Sequence, residues 1–351
     1  MSSKTTVRAL TGAELDAWSD LVTASPDGSV YALPAYLDVL CTAAGGSFRV
    51  LGLYRGDELV GGLPLYERSS RAGAWAGPRL LLYYHGPVLR RSETRYPSQR
   101  TAREVDGLGA LADGVAALGL DAVTLKCRHT MQDVRPFLAR GWKAVPSYSY
   151  EVPIADLEQA RARMEQNLRR LVDRCERQGF TMSESEDFDA FYRLHVQTLE
   201  RRDVGAYLPE VAFQDYFTRL RAAGLCRLFH ALEPGGAVAA SQLVLTGPHP
   251  VSHTVSAAAD PAHMASGVSA FLRWKAFEAL SEAGGVANDL TDAALNPVTH
   301  FKSQLGGTLV LCMVLHSPPS RRWRRHDMLN RARRRVRGLA RRLLRPGGED
   351  G

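Results

Sequence analysis

The stretch from Gly284 to Gly307 reads GGVANDLTDAALNPVTHFKSQLGG. Its apolar start predicts a short strand, Val286–Leu290, and the polar residues after it predict a loop that leads into a helical turn. Four ionisable side chains fall within fourteen residues, at the carboxyl end of that strand and beyond it: Asp289, Asp292, His300 and Lys302. Open α/β sheets bind ligands at such strand ends. The stretch is therefore a candidate functional site, and a solvated surface loop is the alternative.

The composition is that of a globular protein with more than one domain. A chain of 351 residues exceeds a single hydrophobic core, which predicts two domains. Its five cysteines stand far apart, without a CxxC or a Cys/His pair at metal-binding spacing, so we expect reduced thiols, a cytoplasmic protein and no metal. The N-terminus is polar, and no apolar run approaches the length of about 18 residues that a spanning helix needs.

The positive charge is concentrated in the last 31 residues. Residues 321–351 contain 12 arginines and three acidic residues, a balance of +9, whereas the whole chain carries +7. Residues 1–320 therefore carry 32 basic and 34 acidic residues, a balance of −2. The basic excess belongs to the tail and not to the body.

The predicted elements occur in a similar order twice. The first half predicts helices 11–23 and 34–44, a hairpin of strands 48–54 and 59–66, helix 105–118, strand 122–127, helix 132–140 and strand 142–152. The second half predicts helices 157–178, 188–201 and 209–223, a hairpin of strands 226–232 and 238–245, strand 251–257, helix 268–283, strand 286–290, a helix containing Lys302, and strand 308–315. Setting Val60 against Val238 aligns the two hairpins strand for strand. We predict an α/β (α+β) fold of two tandem units, each a mixed sheet flanked by helices, over residues 1–152 and 153–318, with a basic tail helix over 319–351.

Several local patterns in the second half resemble one known family. They are Asn167-Leu168-Arg169-Arg170 before Gly179, the hairpin ending in Gln242, Ser266-Gly267, and Asp289 followed by Phe301-Lys302 and Gly306-Gly307. Together they resemble the FemABX group, the tandem branch of the acyl-CoA N-acyltransferase (GNAT) superfamily. The resemblance implies two GNAT-like units and the transfer of an aminoacyl group from aminoacyl-tRNA, as co-substrate without a cofactor, to an amine. The acceptors it implies are peptidoglycan precursors or small molecules of antibiotic biosynthesis.

Two features depart from related patterns. Bridge-forming FemABX members usually carry a long coiled-coil arm, whereas 157–178 predicts one helix without a partner of similar length. Acetyl-CoA-dependent GNATs use a Q/R-x-x-G-x-G/A loop whose backbone N–H groups bind pyrophosphate. The corresponding stretch, Met264–Ser269, has one glycine and begins with neither Gln nor Arg. The first departure disfavours peptidoglycan as the acceptor, and the second disfavours CoA as the donor.

The predicted chemistry centres on Lys302. Attack of an amine on an aminoacyl ester creates an oxyanion, and we predict Lys302 as its stabiliser or as an anchor for the tRNA end. Asp289 or Asp292 would hold an ammonium group, and Phe301 would stack on the terminal adenine. The alternatives are a surface lysine, a core phenylalanine and, for Asp292, a turn cap.

The remaining site predictions concern substrate and RNA contacts. We predict as substrate-binding His253, Gln242, Tyr84 and His300, with a buried structural role as the alternative for His253. Arg169 and Arg170 would bind tRNA phosphates, and the alternative is pairing with Glu165 or Asp173 along the helix.

The tail has an apolar stripe and an arginine-rich face. We predict that its arginines bind tRNA phosphates, in particular Arg331, Arg334, Arg335 and Arg341. Binding to an anionic membrane surface, which would place the protein at the inner membrane face, is an alternative, and packing on the body is another. Two further functions stay open for the whole chain. One is an acyl-CoA-dependent N-acyltransferase, and the other is a membrane-surface protein of envelope polysaccharide assembly.

Overall fold

The computed structural model describes residues 5–201, 204–206 and 208–329. Its strands are β1 (Thr5–Ala9), β2 (Ser47–Arg55), β3 (Glu58–Ser70), β4 (Gly73–Ala76), β5 (Val88–Leu89), β6 (Ala122–Lys126), β7 (Lys143–Pro153), β8 (Thr181–Glu184), β9 (Cys226–Leu232), β10 (Val238–Leu245), β11 (Val251–Ala259), β12 (Ala287–Asp289) and β13 (Thr308–His316). Its helices are α1 (Glu14–Ala24), α2 (Pro34–Ala44), α3 (Pro97–Ala117), α4 (Arg135–Leu138), α5 (Leu157–Arg163), α6 (Gln166–Arg177), α7 (Phe188–Glu200), α8 (Glu210–Ala222), α9 (Val268–Glu282) and α10 (Pro297–Ser303). Within the described residues, no helix is long and apolar enough to cross a bilayer.

One mixed sheet of thirteen strands runs through the described chain. Its order is β1-β2-β3-β4-β6-β13-β7-β12-β11-β10-β9-β8, and β5 pairs with β3. The hairpin β2–β3 lies toward one end and the hairpin β9–β10 toward the other. Each half also has one parallel pair, β4–β6 or β11–β12, whose crossover contains α3 or α9. This repetition confirms the predicted α/β fold of two similar units.

The two halves join through an exchange of neighbouring strands. The last strand, β13, lies between β6 and β7 of the first half, and β7 in turn lies between β13 and β12. Glu151 on β7 is opposite Asp289 on one side and Thr308 on the other. The segment between Asp289 and Thr308, which contains α10, therefore passes from one side of β7 to the other.

Helices from both halves share one hydrophobic core. The buried side chains of α1, α2, α7 and α8 belong to the same cluster, which includes Trp18, whose indole N–H donates to the carbonyl of Ala32 at 2.8 Å. Tyr216 on α8 donates its hydroxyl hydrogen to Tyr36 on α2 at 3.0 Å. Burial of these aromatic rings, at about 25 cal/mol per Å² of apolar surface, holds the halves together beyond their strand pairing.

Some predicted elements are wrong in extent. The single helix over 157–178 is two helices, because Met164 and Glu165 adopt extended ψ angles of 138° and 141°. The N–H of Glu165 donates instead to the carbonyl of Gln304 at 2.9 Å. A Cβ on Gly306 would lie 3.0 Å from backbone atoms at this break, and its φ is 83°, so a glycine fits the position.

Other elements differ from the prediction because their local sequence patterns are weak. Helix α3 begins at Pro97, eight residues before the predicted helix 105–118, because proline suits the first helical position. The helix predicted over 132–140 is the short α4, and the four-residue strand β4 was not predicted. Strands β1 and β8, at the two ends of the sheet, had no period-2 pattern strong enough to predict them.

Candidate functional site

Lys302 lies on the short helix α10, above the junction of β12, β7 and β13. Asn296 caps the helix by accepting a hydrogen bond from the N–H of Thr299 at 3.0 Å, and Pro297 starts it. The Lys302 ammonium donates to the carbonyl of Asp292 at 2.7 Å and also to the carbonyl of Thr291. An ammonium group has three N–H donors. These two carbonyls account for two of them, and within the described part of the chain no acceptor is found for the third.

The turn that accepts these bonds has an unusual backbone. Thr291 and Asp292 have φ values of 46° and 56°, in the left-handed region that disfavours residues with a Cβ. Such a conformation costs about 1–2 kcal/mol per residue, most for a β-branched residue. The bonds from Lys302 offset part of this cost, and non-glycine residues in this region are concentrated at functional sites.

The environment makes Lys302 easier to deprotonate. Burial and, after it, the positive charge of Arg273 lower its pKa to about 8, against the opposing effect of Asp292 and Asp289. Below pH 8 the side chain is a partly desolvated cation. A charge in such surroundings interacts more strongly with an anion than a solvated one does.

Asp289 ties the two halves together at the end of β12. It is 1% exposed and accepts hydrogen bonds from Tyr84 Oη at 2.7 Å, from the backbone N–H of Thr291 at 2.7 Å and from Ser149 Oγ. Burial alone would raise its pKa, but the pKa is lowered overall, and the hydrogen bonds from Ser149, Tyr84 and the Thr291 N–H favour the charged form. The geometry makes Asp289 a positioning residue for the turn that holds Lys302. Its predicted catalytic role stays a prediction.

His253 lies in the same buried cluster. Its ring centroid is 4.8 Å from that of Tyr31 and 5.7 Å from that of Tyr84. Its Nδ1 is 3.7 Å from Asp289 Oδ2, beyond hydrogen-bond distance. Burial lowers its pKa to about 3, so the imidazole is neutral. Tyr84 and His253, predicted to bind substrate, are thus brought together with Asp289, but beneath the surface.

The other predicted substrate contacts lie in different surroundings. Gln242 is buried and donates from Nε2 to Thr254 Oγ1 at 3.3 Å, within a hydrogen-bonded network of β10, β11 and β12. Phe301 is partly buried against the core of the second half. His300 and Asp292 are exposed beside Lys302. The structure therefore groups the α10 residues and their turn, and it places Gln242 behind them in the sheet.

The residues predicted to contact RNA form two groups, one on α6 and one in the tail. Helix α6 begins beside the end of α10, where Gln304 Nε2 donates to Glu165 Oε2 at 2.8 Å. Arg169, one turn farther along α6, is partly buried, and Arg170 is exposed. Asp173, a predicted alternative partner, pairs with Arg161. The predicted tail contacts lie outside the described residues: Arg331, Arg334, Arg335 and Arg341.

Sequence reasoning missed two parts of the site. Arg273 on α9 is buried near Lys302, and its signal was one charge inside the apolar run of α9. Ser149 on β7 bonds Asp289 across 140 residues of sequence, and no local pattern indicates such a pair.

The first half has a pocket in the corresponding position of its own unit. The pocket has a volume of about 860 Å³ and lies between the start of α3 and the loop after β6. We call it the first-half pocket; its walls are Pro26, Arg91, Arg100, Thr101, Glu104, Leu108 and residues 129–135. A second pocket of about 340 Å³ shares residues His129, Met131 and Gln132 with it and reaches Val310 and Leu311 on β13. The two pockets lead toward the strand that follows α10.

The fold is similar to that of several proteins of known structure. One is FemX, at a TM-score of 0.68 and 14% identity, with 88% of this chain and 96% of that chain covered. Another is a tandem GNAT protein from the clavulanic acid biosynthesis pathway, at a TM-score of 0.51 and 14% identity, with coverage of 90% and 100%. Residues 160–302 match the profile of the acetyltransferase (GNAT) domain. The chain has the tandem GNAT fold. This confirms the fold that the FemABX resemblance implied.

A third protein with a similar fold is the C-terminal domain of a putative lysylphosphatidylglycerol synthetase from Agrobacterium fabrum. Its TM-score is 0.56 at 13% identity, with 87% of this chain and 92% of that domain covered. At these identities the likeness concerns the fold alone. The sequence itself matches no curated protein. Within the tandem GNAT fold, the matched GNAT domain ends at Lys302 and includes α6 and α9.

Proposed function

We propose that this protein transfers an aminoacyl group from aminoacyl-tRNA to the amine of an acceptor and forms an amide bond. The observation that carries the proposal is the partly buried ammonium of Lys302, which has a lowered pKa and one N–H that no described residue accepts. This group suits the oxyanion that forms when an amine attacks an ester.

The loop before α9, where a donor phosphate would bind, favours tRNA over CoA as the donor substrate. The loop before α9 has a single glycine, and its Ser266 hydroxyl accepts a hydrogen bond from the N–H of Val268 at 3.2 Å. That N–H is one of those that a pyrophosphate at the helix N-terminus would otherwise use. Arg174 also holds the loop by donating to the carbonyls of Ala265 and Ser266. The backbone cradle that CoA needs is therefore partly occupied by the protein itself.

The acceptor side is proposed to be the first-half pocket. Arginines and carboxylates line it together, which suits an acceptor that carries both an amine and an anionic group. Burial and then the charge of Asp27 raise the pKa of Glu104, and a hydrogen bond from Arg135 lowers the pKa of Asp133. The Asp133 carboxylate thus stays charged, and Arg135 donates hydrogen bonds to both of its oxygens. The smaller pocket along β13 gives the acceptor a route toward α10.

The proposed step balances without a protein base. The acceptor nitrogen attacks the carbonyl carbon of the ester, and the C–N bond forms while Lys302 stabilises the oxyanion. The C–O bond to the terminal ribose then breaks. The ribose oxygen leaves as a hydroxyl group with the proton that the nitrogen loses. Positioning of two bound substrates supplies much of the rate enhancement in such a reaction.

A second candidate is an acyl-CoA-dependent N-acyltransferase. The matched domain is described as an acetyltransferase, and the solved structure from the clavulanic acid pathway is described as being without AcCoA. A third candidate places the acceptor in a membrane, as the name of the lysylphosphatidylglycerol synthetase suggests for that protein. The arginine-rich tail would then bind the lipid surface.

The test is transfer of label from a pool of tRNA charged with radiolabelled amino acids. The protein is incubated with charged tRNA and a small-molecule extract, and the product is analysed after removal of RNA. We expect the wild type to move label to an alkali-stable product, Lys302→Met to lose most of the transfer, and Lys143→Met to retain it. Lys143 is an exposed lysine of β7 and serves as the matched control. Transfer from acetyl-CoA and none from tRNA would favour the second candidate and refute the first.

A further inference from the structure

Arg273 is a buried guanidinium that has no ion-pair partner among the residues the structure describes. It lies on α9 and is 7% exposed. Among the described residues, nothing accepts a hydrogen bond from its Nε or Nη1. Burial lowers its pKa to about 10. Arginines are seldom buried without a partner, because desolvation of an unpaired charge opposes folding.

Helix geometry directs this side chain toward the start of α9. A Cα–Cβ bond in a helix tilts toward the N-terminus, so the side chain at 273 lies over the preceding turn. The residue four positions earlier on that face is Ser269, which is exposed in the first turn of α9. The N-terminal end of a helix favours anions through its dipole.

Arg273 also lies close to Lys302. Its charge is the largest influence on Lys302 after burial. Two cations that repel each other in a desolvated place destabilise the empty site, and an anion between them would relieve the repulsion. The guanidinium has donors in a planar fork, which matches the oxygens of a phosphate group.

We propose that Arg273 and Lys302 together bind a phosphate group of the donor substrate, at the N-terminal half of α9. The assignment rests on the proposed function, since it gives the donor a second contact besides Lys302. It also explains how this chain would hold a phosphate although its glycine loop is incomplete: side chains replace the backbone cradle. The phosphate chemistry is shared by the 3′ end of tRNA and by the pyrophosphate of CoA.

The test uses inorganic pyrophosphate as the probe and Arg273→Met as the variant. Methionine keeps much of the volume and removes the charge. Lys275→Met is the matched control, because Lys275 lies on the same helix and is paired with Glu176 and Glu278. We expect pyrophosphate to raise the melting temperature of the wild type and of Lys275→Met. For Arg273→Met we expect binding at least about tenfold weaker, since charge-assisted hydrogen bonds are lost.

Stability without ligand provides a second, independent readout. If Arg273 has no internal partner, Arg273→Met removes a buried unpaired charge, and the melting temperature of the ligand-free protein rises. A lower melting temperature, or failure of the variant to fold, would show that the guanidinium is satisfied inside the protein and would overturn the proposal. Binding of pyrophosphate equal to wild type would overturn it as well.

The source of the phosphate is distinguished by two further ligands. A minihelix RNA ending in CCA and free CoA are titrated into the wild type and Arg273→Met. Weaker RNA binding by the variant supports a tRNA donor, whereas weaker CoA binding with unchanged RNA binding supports the anion site and refutes tRNA as its ligand. If charged tRNA supports transfer and Arg273→Met shows the wild-type KM for it, the proposed function stands and the anion site is refuted.

Discussion

The charge state of Lys302 makes a quantitative prediction about donor binding. The pKa of about 8 follows from burial and the charge of Arg273, with a smaller contribution from Lys126 and an opposing one from Asp292 and Asp289. About nine-tenths of the molecules then carry the cation at pH 7 and about one-tenth at pH 9. An anionic donor binds the protonated form, so its affinity is highest below pH 8 and falls as pH rises through 8.

The size of the fall is set by the contact itself. A charge-assisted hydrogen bond contributes about 1.5–3 kcal/mol, so complete loss of the cation weakens binding by about 10- to 100-fold. Between pH 7 and pH 9 we expect a loss of about five- to tenfold, since about a tenth of the molecules keep the cation and the uncharged form still binds weakly. The assay is fluorescence anisotropy of a labelled minihelix RNA ending in CCA, at constant ionic strength, because phosphate contacts depend strongly on salt.

Two variants decide whether Lys302 is the titrating group. Lys302→Arg keeps its charge at pH 9, since a guanidinium has a pKa above about 12, and it should bind with little dependence on pH in this range. Lys302→Met should bind weakly at every pH. The same pH dependence in wild type and Lys302→Arg, or tighter binding above pH 8, would refute the reasoning.

Three further predictions concern the surroundings of the site. Asp289→Asn should destabilise the protein by about 2 kcal/mol in urea unfolding, because a buried charged acceptor of three hydrogen bonds becomes neutral. The control Asp292→Asn, at an exposed position, should change the free energy of unfolding by less than about 0.5 kcal/mol. Equal effects of the two substitutions would contradict the burial assigned to Asp289. His253→Phe should leave the stability unchanged or raise it, because both ring nitrogens lack hydrogen-bond partners within the described chain. Loss of transfer at full stability would support the predicted substrate contact. A loss of stability would contradict the conclusion that the ring nitrogens lack partners. A chain ending at Leu329 should bind tRNA more weakly, since eight arginines are removed. The slope of log K against log salt concentration should fall in magnitude by at least about two. An unchanged slope together with lost binding to anionic vesicles would assign the tail to membranes.

The repeated order of helices and strands was predictable because each element has a local sequence pattern of its own. The two hairpins, the long helices and the strand before Asp289 each carry their own periodicity and turn residues. The stretch around Lys302 was identifiable for the same reason: an acidic strand end, a capped helical turn and a glycine pair follow one another within 24 residues. These signals depend only on neighbours in sequence.

The contacts that complete the site depend on tertiary pairing. Tyr84 meets Asp289 across 205 residues, and β13 enters the sheet of the first half, so no local window indicates either. The break at Met164 arises because the backbone of Glu165 bonds Gln304, a partner outside the helix. Arg273 was not predicted as a site residue, because the apolar residues around it indicate a helix of the hydrophobic core. A buried unpaired charge becomes visible only when its partners can be counted.

The central claim, that the acceptor end of tRNA lies at Lys302, has a direct test. Periodate converts the terminal ribose of tRNA to a dialdehyde, whose aldehyde condenses with an uncharged lysine amine to an imine and water, and borohydride then fixes the link. The chain has only five lysines, at 4, 126, 143, 275 and 302. A pKa of about 8 leaves a large uncharged fraction of Lys302 at pH 8. Peptide mass spectrometry should place the RNA label on Lys302 in preference to Lys143 and Lys275, with protection by unmodified tRNA. Label spread over the other lysines, or label on Lys302 that unmodified tRNA does not displace, would contradict the claim.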